Sequence, residues 1–319
     1  MNRLADRIHL MLHLRLFFKK SLNRFFQGFC IGTANIIPGV SGGTIALMLG
    51  IYSELIHAMG CLDLKLLRLL TARRFHAAGQ YLPWRFLVPV LAGIALAVVL
   101  LARFLEWLFD YYPVYIYAYF FGLILASVPV IMKHIRYPHL RTHLLLLIAA
   151  GCMYILVGMV PAQTPQTALF IFVSGALAIS TMILPGISGS FVLVLIGKYK
   201  FILAAINDRN LFVLSVFGLG CLVGIISVVR FLKWLLDRHH DMTMAVLAGM
   251  VLGSLPKLWP WKVNINTAVL NSAGQVYLKE INVLPQRWGG EVGWAVLICL
   301  LGLVTAWLLA RGQTSSPKH

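Results

Sequence analysis

Asn35-Ile-Ile-Pro38-Gly39-Val-Ser41-Gly42-Gly43-Thr44 interrupts an apolar stretch, and Leu184-Pro185-Gly186-Ile-Ser188-Gly189-Ser190 repeats its core 147 positions later. Proline lacks an N–H and clashes with the preceding helical turn. Glycine permits the positive φ and close backbone approach needed to reverse the chain. In hydrocarbon, non-helical backbone is tolerated only where it lines a cavity or is packed in protein. The same helix-breaking phrase at matching places in two apolar halves is the sequence sign of a transporter with its site near the bilayer midplane.

The repeat extends beyond the phrase. Over the fifteen positions 38–52 against 185–199, six residues are identical, including Gly50/Gly197 and Tyr52/Tyr199. Arg103-Phe-Leu-Glu-Trp107-Leu-Phe-Asp110 then matches Arg230-Phe-Leu-Lys-Trp234-Leu-Leu-Asp237 at an offset of 127, and the match runs on to Pro129/Pro256 with eleven identities in twenty-seven positions. The offset drops by twenty, so the first half carries an insertion, and the basic stretch Asp63 to Gln80 is the candidate. Such self-similarity marks a duplication. The chain reads as one transmembrane domain, 1–319, with a basic segment at 1–21, repeat one at 22–160 and repeat two at 161–311. Each half is an interrupted region (22–58; 166–206) followed by three spans: 86–105, 114–132 and 143–160, then 211–229, 243–257 and 291–310.

Composition agrees. The 319 residues are 60% hydrophobic and 12% charged, with mean hydropathy +0.85, against about 25% charged in soluble domains. No cleavable signal peptide is visible, and the basic N-terminus with Leu10, Leu14, Phe17 and Phe18 suits a helix on an anionic cytoplasmic leaflet. The formal charge of +17 sits in loops that flank apolar segments, which fits orientation and lipid attraction rather than nucleic acid. Five scattered cysteines and ten histidines without ligand spacing give no disulfide scaffold and no metal site. No cofactor is expected.

Charge also sets the topology. If the first interrupted region dips in from the cytoplasm and returns, the loops with Lys65, Arg68, Arg73, Arg74 and Arg85, with Lys133, Arg136 and Arg141, with Arg230, Lys233 and Arg238, and with Arg311 all lie on the cytoplasmic side. Lys198, Lys200 and Arg209 then stand outside, against the rule. Three spans per half is an odd number, so the halves insert oppositely. The fold expected is an all-α polytopic membrane protein with an inverted-topology repeat, each half a re-entrant helical hairpin plus three transmembrane helices, both termini cytoplasmic.

At the hairpin tips, Ser41 or Thr44, and Ser188 or Ser190, can cap the returning half-helices. Their N-termini present N–H groups and partial positive charge, which suit phosphate or carboxylate. The substrate-binding candidates are therefore Asn35, Pro38, Gly39, Ser41, Gly42, Gly43, Thr44, Pro185, Gly186, Ser188, Gly189 and Ser190. Asn35 faces Met182 in the repeat, an asymmetry that could bear on ion coupling. Glu54 is a gate or coupling candidate, or a solvated carboxylate at a helix end. Arg103 and Arg230 either engage a phosphate or snorkel to headgroups. Gly39-xxx-Gly43 and Gly220-xxx-Gly224 also fit small-residue helix packing.

At these residues the chain resembles the PopT family of bacterial polyprenyl-phosphate transporters, formerly a membrane family of unknown function. The resemblance is carried by Asn35 through Ala46, by Gly50-Ile-Tyr52-Ser-Glu54-Leu-Ile, and by Pro185-Gly-Ile-Ser-Gly-Ser through Gly197-Lys-Tyr199. It implies a flippase of the bacterial inner membrane that returns undecaprenyl phosphate from the outer to the inner leaflet for cell-envelope synthesis, not an enzyme, and suggests Na+ or H+ coupling. The residues alone reach only a two-tipped anion site. They leave open an intramembrane lipid-phosphate hydrolase, which would need a general acid or base beside its serines, and a small-anion channel or exchanger. Oligomeric state is not readable.

Overall fold

A computed structural model describes residues 2–37, 39–61, 63–159, 161–162, 164–270, 276–285 and 287–314. Fourteen helices are seen among them: α1 Asn2–Ile36, α2 Gly42–Met48, α3 Tyr52–Gly60, α4 Leu64–Thr71, α5 Phe75–Tyr81, α6 Trp84–Tyr111, α7 Pro113–Met132, α8 Leu140–Val157, α9 Ala168–Ile183, α10 Gly189–Leu195, α11 Tyr199–Asn207, α12 Leu211–Arg238, α13 His240–Ser254 and α14 Gly290–Thr314. A 3-10 turn, Leu255–Leu258, prolongs α13, and β1 Lys262–Leu270 pairs antiparallel with β2 Val276–Asn282.

Six of the helices, α6, α7, α8, α12, α14 and α13 with its 3-10 turn, are long and apolar enough to cross a membrane. The chain is a polytopic α-helical membrane protein. The six coincide with the spans read from the sequence. The interrupted regions resolve into α1–α2–α3 and α9–α10–α11, the latter with α10 and α11 bent by 107°. Helices α4 and α5 occupy the segment that the sequence reading took as an insertion, and no helix stands between α11 and α12. The β-hairpin lies in the segment 258–290, which the sequence reading treated only as a long loop. Residues 2–21 form no separate element, because α1 runs through to Ile36.

Burial sorts the spans into two shells. Half of the apolar core of α7 and 61% of that of α13 are enclosed, whereas α6, α8, α12 and α14 bury about a fifth each. Val99, Ile148, Leu222 and Leu301 are among the large apolar side chains left outside. In water such a surface would aggregate, but in lipid it costs nothing. The central helices are joined by α2, every residue of which is buried.

The helices pair closely as α1 with α6, α9 with α12, α7 with α14 and α8 with α13. The first two pairs lie within a half, while the last two join second and third spans across halves. Lipid tails are as apolar as leucine, so packing distance rather than hydrophobicity drives association. Gly28, Gly175, Gly122 and Gly249 each lie against a carbonyl of the partner helix, where an added Cβ would come within 2.1–2.2 Å of it. Gly220 and Gly224 lie likewise against carbonyls of α9, where an added Cβ would come within 2.0 and 2.5 Å. The small-residue reading therefore holds for Gly220-xxx-Gly224.

Candidate functional site

The two interruptions meet. Ser41 Oγ donates to the Leu184 carbonyl at 3.1 Å, and the Gly186 N–H donates to Thr44 Oγ1 at 3.0 Å. Tyr52, the first residue of α3 and fully buried, donates its hydroxyl to the Ile183 carbonyl at 3.3 Å. A Cβ on Gly43 would stand 2.7 Å from that same carbonyl. Segments more than 130 residues apart are thus stitched through their turns.

Each turn owes its shape to glycine. Gly39 has φ +88° and Gly186 φ +82°, a region that side chains rarely adopt. Pro38 lies outside the described residues, and Pro185 is buried just before its glycine.

The tips differ in how their donors are used. In the early tip, the Gly42 N–H donates to Asn35 Oδ1 at 2.9 Å and the Gly43 N–H to Ser41 Oγ at 3.2 Å, while the Thr44 N–H reaches the Ser41 carbonyl. Ser41 is the N-cap of α2, and its hydroxyl serves both tips. Asn35 acts as a second cap from the end of α1. Met182, its counterpart, has no side-chain oxygen to do the same for Gly189, which is buried against the Ala178 carbonyl. In the late tip, Ser188 and Ser190 share a hydroxyl–hydroxyl bond of 2.7 Å, with Ser188 half-buried and Ser190 exposed. The early tip is closed upon itself, and the late one faces an accessible surface.

Glu54 does not stand alone. It forms an ion pair with Arg24 of α1, whose guanidinium also donates to Gln27 at 3.0 Å and lies 5.1 Å from the Phe86 ring centroid. Arg103 and Arg230 are exposed on α6 and α12, and no hydrogen bond among the described residues joins either to a tip. Arg230 instead lies within electrostatic reach of Asp63. Lys198 is buried at the α10–α11 elbow, where Nζ donates to the Thr164 and Pro165 carbonyls at 2.7 and 2.9 Å. A charge that looked misplaced in a loop serves as an internal clamp.

Lys257 is the residue that sequence reasoning missed. Its stem packs on the early turn, where a Cβ on Gly39 would meet Cγ at 3.2 Å. Its ammonium lies 5.5 Å from the ring centroid of Phe191, the residue after Ser190. The only available signal was a cation directly after Pro256, the counterpart of Pro129, at a position where the first half has Val130.

The basic loops gather on one face. Asp241 accepts from the Arg136 and Tyr137 N–H groups at 3.1 and 2.9 Å, and His57 Nε2 stands 3.1 Å from Asp237. At the other end of the spans, Lys262 lies over the Tyr117 ring and the Trp259 indole donates to the Val283 carbonyl.

Apposed helix-breaking turns inside a shell of lipid-facing helices define a membrane protein with its polar centre at the helix breaks. The chain belongs to the family described as VCA0040-like, undecaprenyl phosphate translocase-like, which it matches over residues 31–276. It is similar to the polyprenyl-phosphate transporter of Vibrio cholerae, 38% identical over 264 residues, 83% of this chain and 86% of that protein. The polyprenyl-phosphate transporter of Staphylococcus aureus is 33% identical over 252 residues, 73% of this chain and 84% of the relative. Both relatives are transporters rather than enzymes. No solved structure matches the chain.

Proposed function

We propose that this chain carries undecaprenyl phosphate across the bacterial inner membrane, from the outer to the inner leaflet, with the phosphate held where the two tips meet. The observation that carries the reading is the reciprocal bonding of Ser41 to Leu184 and of Gly186 to Thr44. It brings the two turns together at one place, where the hydroxyls of Thr44, Ser188 and Ser190 stand close to both halves. The names of the relatives supply the lipid.

In this reading the halves are inverted repeats and their interrupted regions are re-entrant hairpins, the first entering from the cytoplasm and the second from outside. A flippase must take a phosphate through hydrocarbon while the tail stays in lipid. Movement of the α1–α6 and α9–α12 pairs, each packed within one half, against the interlocked α7–α14 and α8–α13 core around a fixed midplane site would do this by alternating access. The enclosed α2 is the anchor, and the accessible α10, with Ser188 and Ser190, is the side that receives the headgroup. Coupling to Na+ or H+ would supply the direction, and the cytoplasmic basic loops would draw the returned headgroup.

The test is a flip assay in proteoliposomes with labelled undecaprenyl phosphate, run with and without Na+ and proton gradients. Flux should require the protein and depend on one gradient, and Ser41→Ala with Ser188→Ala should abolish most of it while expression holds. Normal flux in the double variant would sink the site. Release of inorganic phosphate would instead identify a hydrolase, and flux of free anions without lipid a channel or exchanger.

A further inference from the structure

We infer that Lys257 is the cationic partner of the phosphate monoester at the junction of the tips, a deepening that rests on the reading just given. Most amides of the tips donate to internal acceptors, and what the junction offers is hydroxyls, those of Thr44, Ser188 and Ser190, which are neutral donors. A phosphate monoester carries between one and two negative charges at neutral pH, and a bond from an ammonium to such an oxygen is roughly twice as strong as a neutral one. Lys257 brings that charge to the junction. Its stem lies against Gly39 of the early turn, and its ammonium beside Phe191, in the first turn of α10. The side chain is half-buried, as are Gly39, Ser188 and Phe191, and Ser190 next to them is exposed. The ammonium is therefore within reach of an accessible space rather than sealed in the core.

The backbone beneath it is held still. The Lys262 ammonium donates to the Lys257 carbonyl at 2.8 Å, and the Asn282 side-chain amide to the Pro256 carbonyl at 2.8 Å. Both donors come from the base of the β-hairpin, where Lys262 and Asn282 are paired in register. The hairpin thus fixes the turn that presents Lys257, with the Lys262 ammonium as a brace between that turn and the Tyr117 ring. A lysine suits a transporter here. Its ammonium is a compact charge on a flexible stem, able to follow a moving headgroup.

The experiment uses the purified full chain in detergent, with binding read by ligand-induced thermal stabilisation. The probes are undecaprenyl phosphate, undecaprenol and, in a separate arm, inorganic phosphate. Lys257→Gln should weaken binding of undecaprenyl phosphate about tenfold and leave undecaprenol unchanged, while Lys257→Arg should stay within about threefold of the parent. Because each variant is compared with itself on the two lipids, a loss of folding would affect both probes alike. Wild-type preference for the phosphorylated lipid in Lys257→Gln would overturn the inference. So would a loss confined to inorganic phosphate. Ser188→Ala with Ser190→Ala runs alongside: if it loses the preference and Lys257→Gln keeps it, the tips stand and Lys257 falls. If both variants keep it, the tip reading falls as well.

Discussion

Gly186 is constrained twice. Its φ of +82° is one that an L side chain resists, and an added Cβ would stand 2.8 Å from the Met250 carbonyl and 3.1 Å from Ser254 Oγ. Gly186→Ala should therefore cost on the order of 2 kcal/mol or more, from strain and displaced backbone together. The expected outcome is a clear fall in melting temperature, and an unchanged one would mean that the turn is free to rearrange. Tyr52→Phe is a gentler probe of the same junction. It removes one bond to the Ile183 carbonyl and keeps the packing, so about 1 kcal/mol of stability should go, with a larger proportional change in transport if the junction is the site. Neither residue's contact was legible in the sequence, where Tyr52 was one half of a repeated identity. A hydrogen bond between distant segments leaves no periodicity to read.

Among elements, the spans were the easiest to foresee, because twenty apolar residues bounded by charge admit few other structures in lipid. The interruptions were visible for the converse reason, since Pro and Gly have few uses there. Pairings were not. Arg24 was one of many basic residues in the first helix until its guanidinium met Glu54 of α3. Arg24→Ala and Glu54→Ala should each loosen the α1–α3 contact, and the charge-reversed pair, Arg24→Glu with Glu54→Arg, should recover much of the loss; with Glu54 partly exposed, the pair is worth at most about 1 kcal/mol. Absence of recovery in the melting temperature would place the role of Glu54 elsewhere.

The inserted helices offer a pH test. Partial burial raises the Asp63 carboxyl, but the Leu66 N–H, the Tyr81 hydroxyl and nearby Arg230 outweigh it and leave the group below its ordinary value. A depressed carboxylate contributes above its unfolded value and loses that contribution as pH falls through the folded one. The α4–α5 amides should therefore lose protection from hydrogen exchange, corrected for intrinsic rates, below about pH 4, and Asp63→Asn should show the same loss at neutral pH.

For the whole molecule, loop charge predicts only which loops share a side of the membrane. The loop after α7 reaches the start of α13 through Asp241, and the end of α3 reaches the end of α12 through His57 and Asp237. Single cysteines at Arg73 and Arg136, in a chain cleared of its own five, should both label from one side of sealed vesicles, and one at Asn282 only from the other. Mixed labelling of the first two would overturn the arrangement. A reporter fused after His319, which lies outside the described residues, is expected on the side of Arg73. The paired strands 262–270 and 276–282 escaped notice although Val263 and Ile265 alternate with Lys262, Asn264 and Asn266, because a mostly polar stretch between two apolar spans reads as loop.

The exchanged partners α7–α14 and α8–α13 bear on how the chain is born. Gly122 waits for Cys299 and Tyr119 for Gly302, so the second span emerges from the ribosome well over a hundred residues before the helix that covers it. Until α14 is made, the newborn protein holds an open seam facing the bilayer, and a nonsense mutation between the end of α7 and residue 290 would leave that seam for the cell's membrane proteases to find.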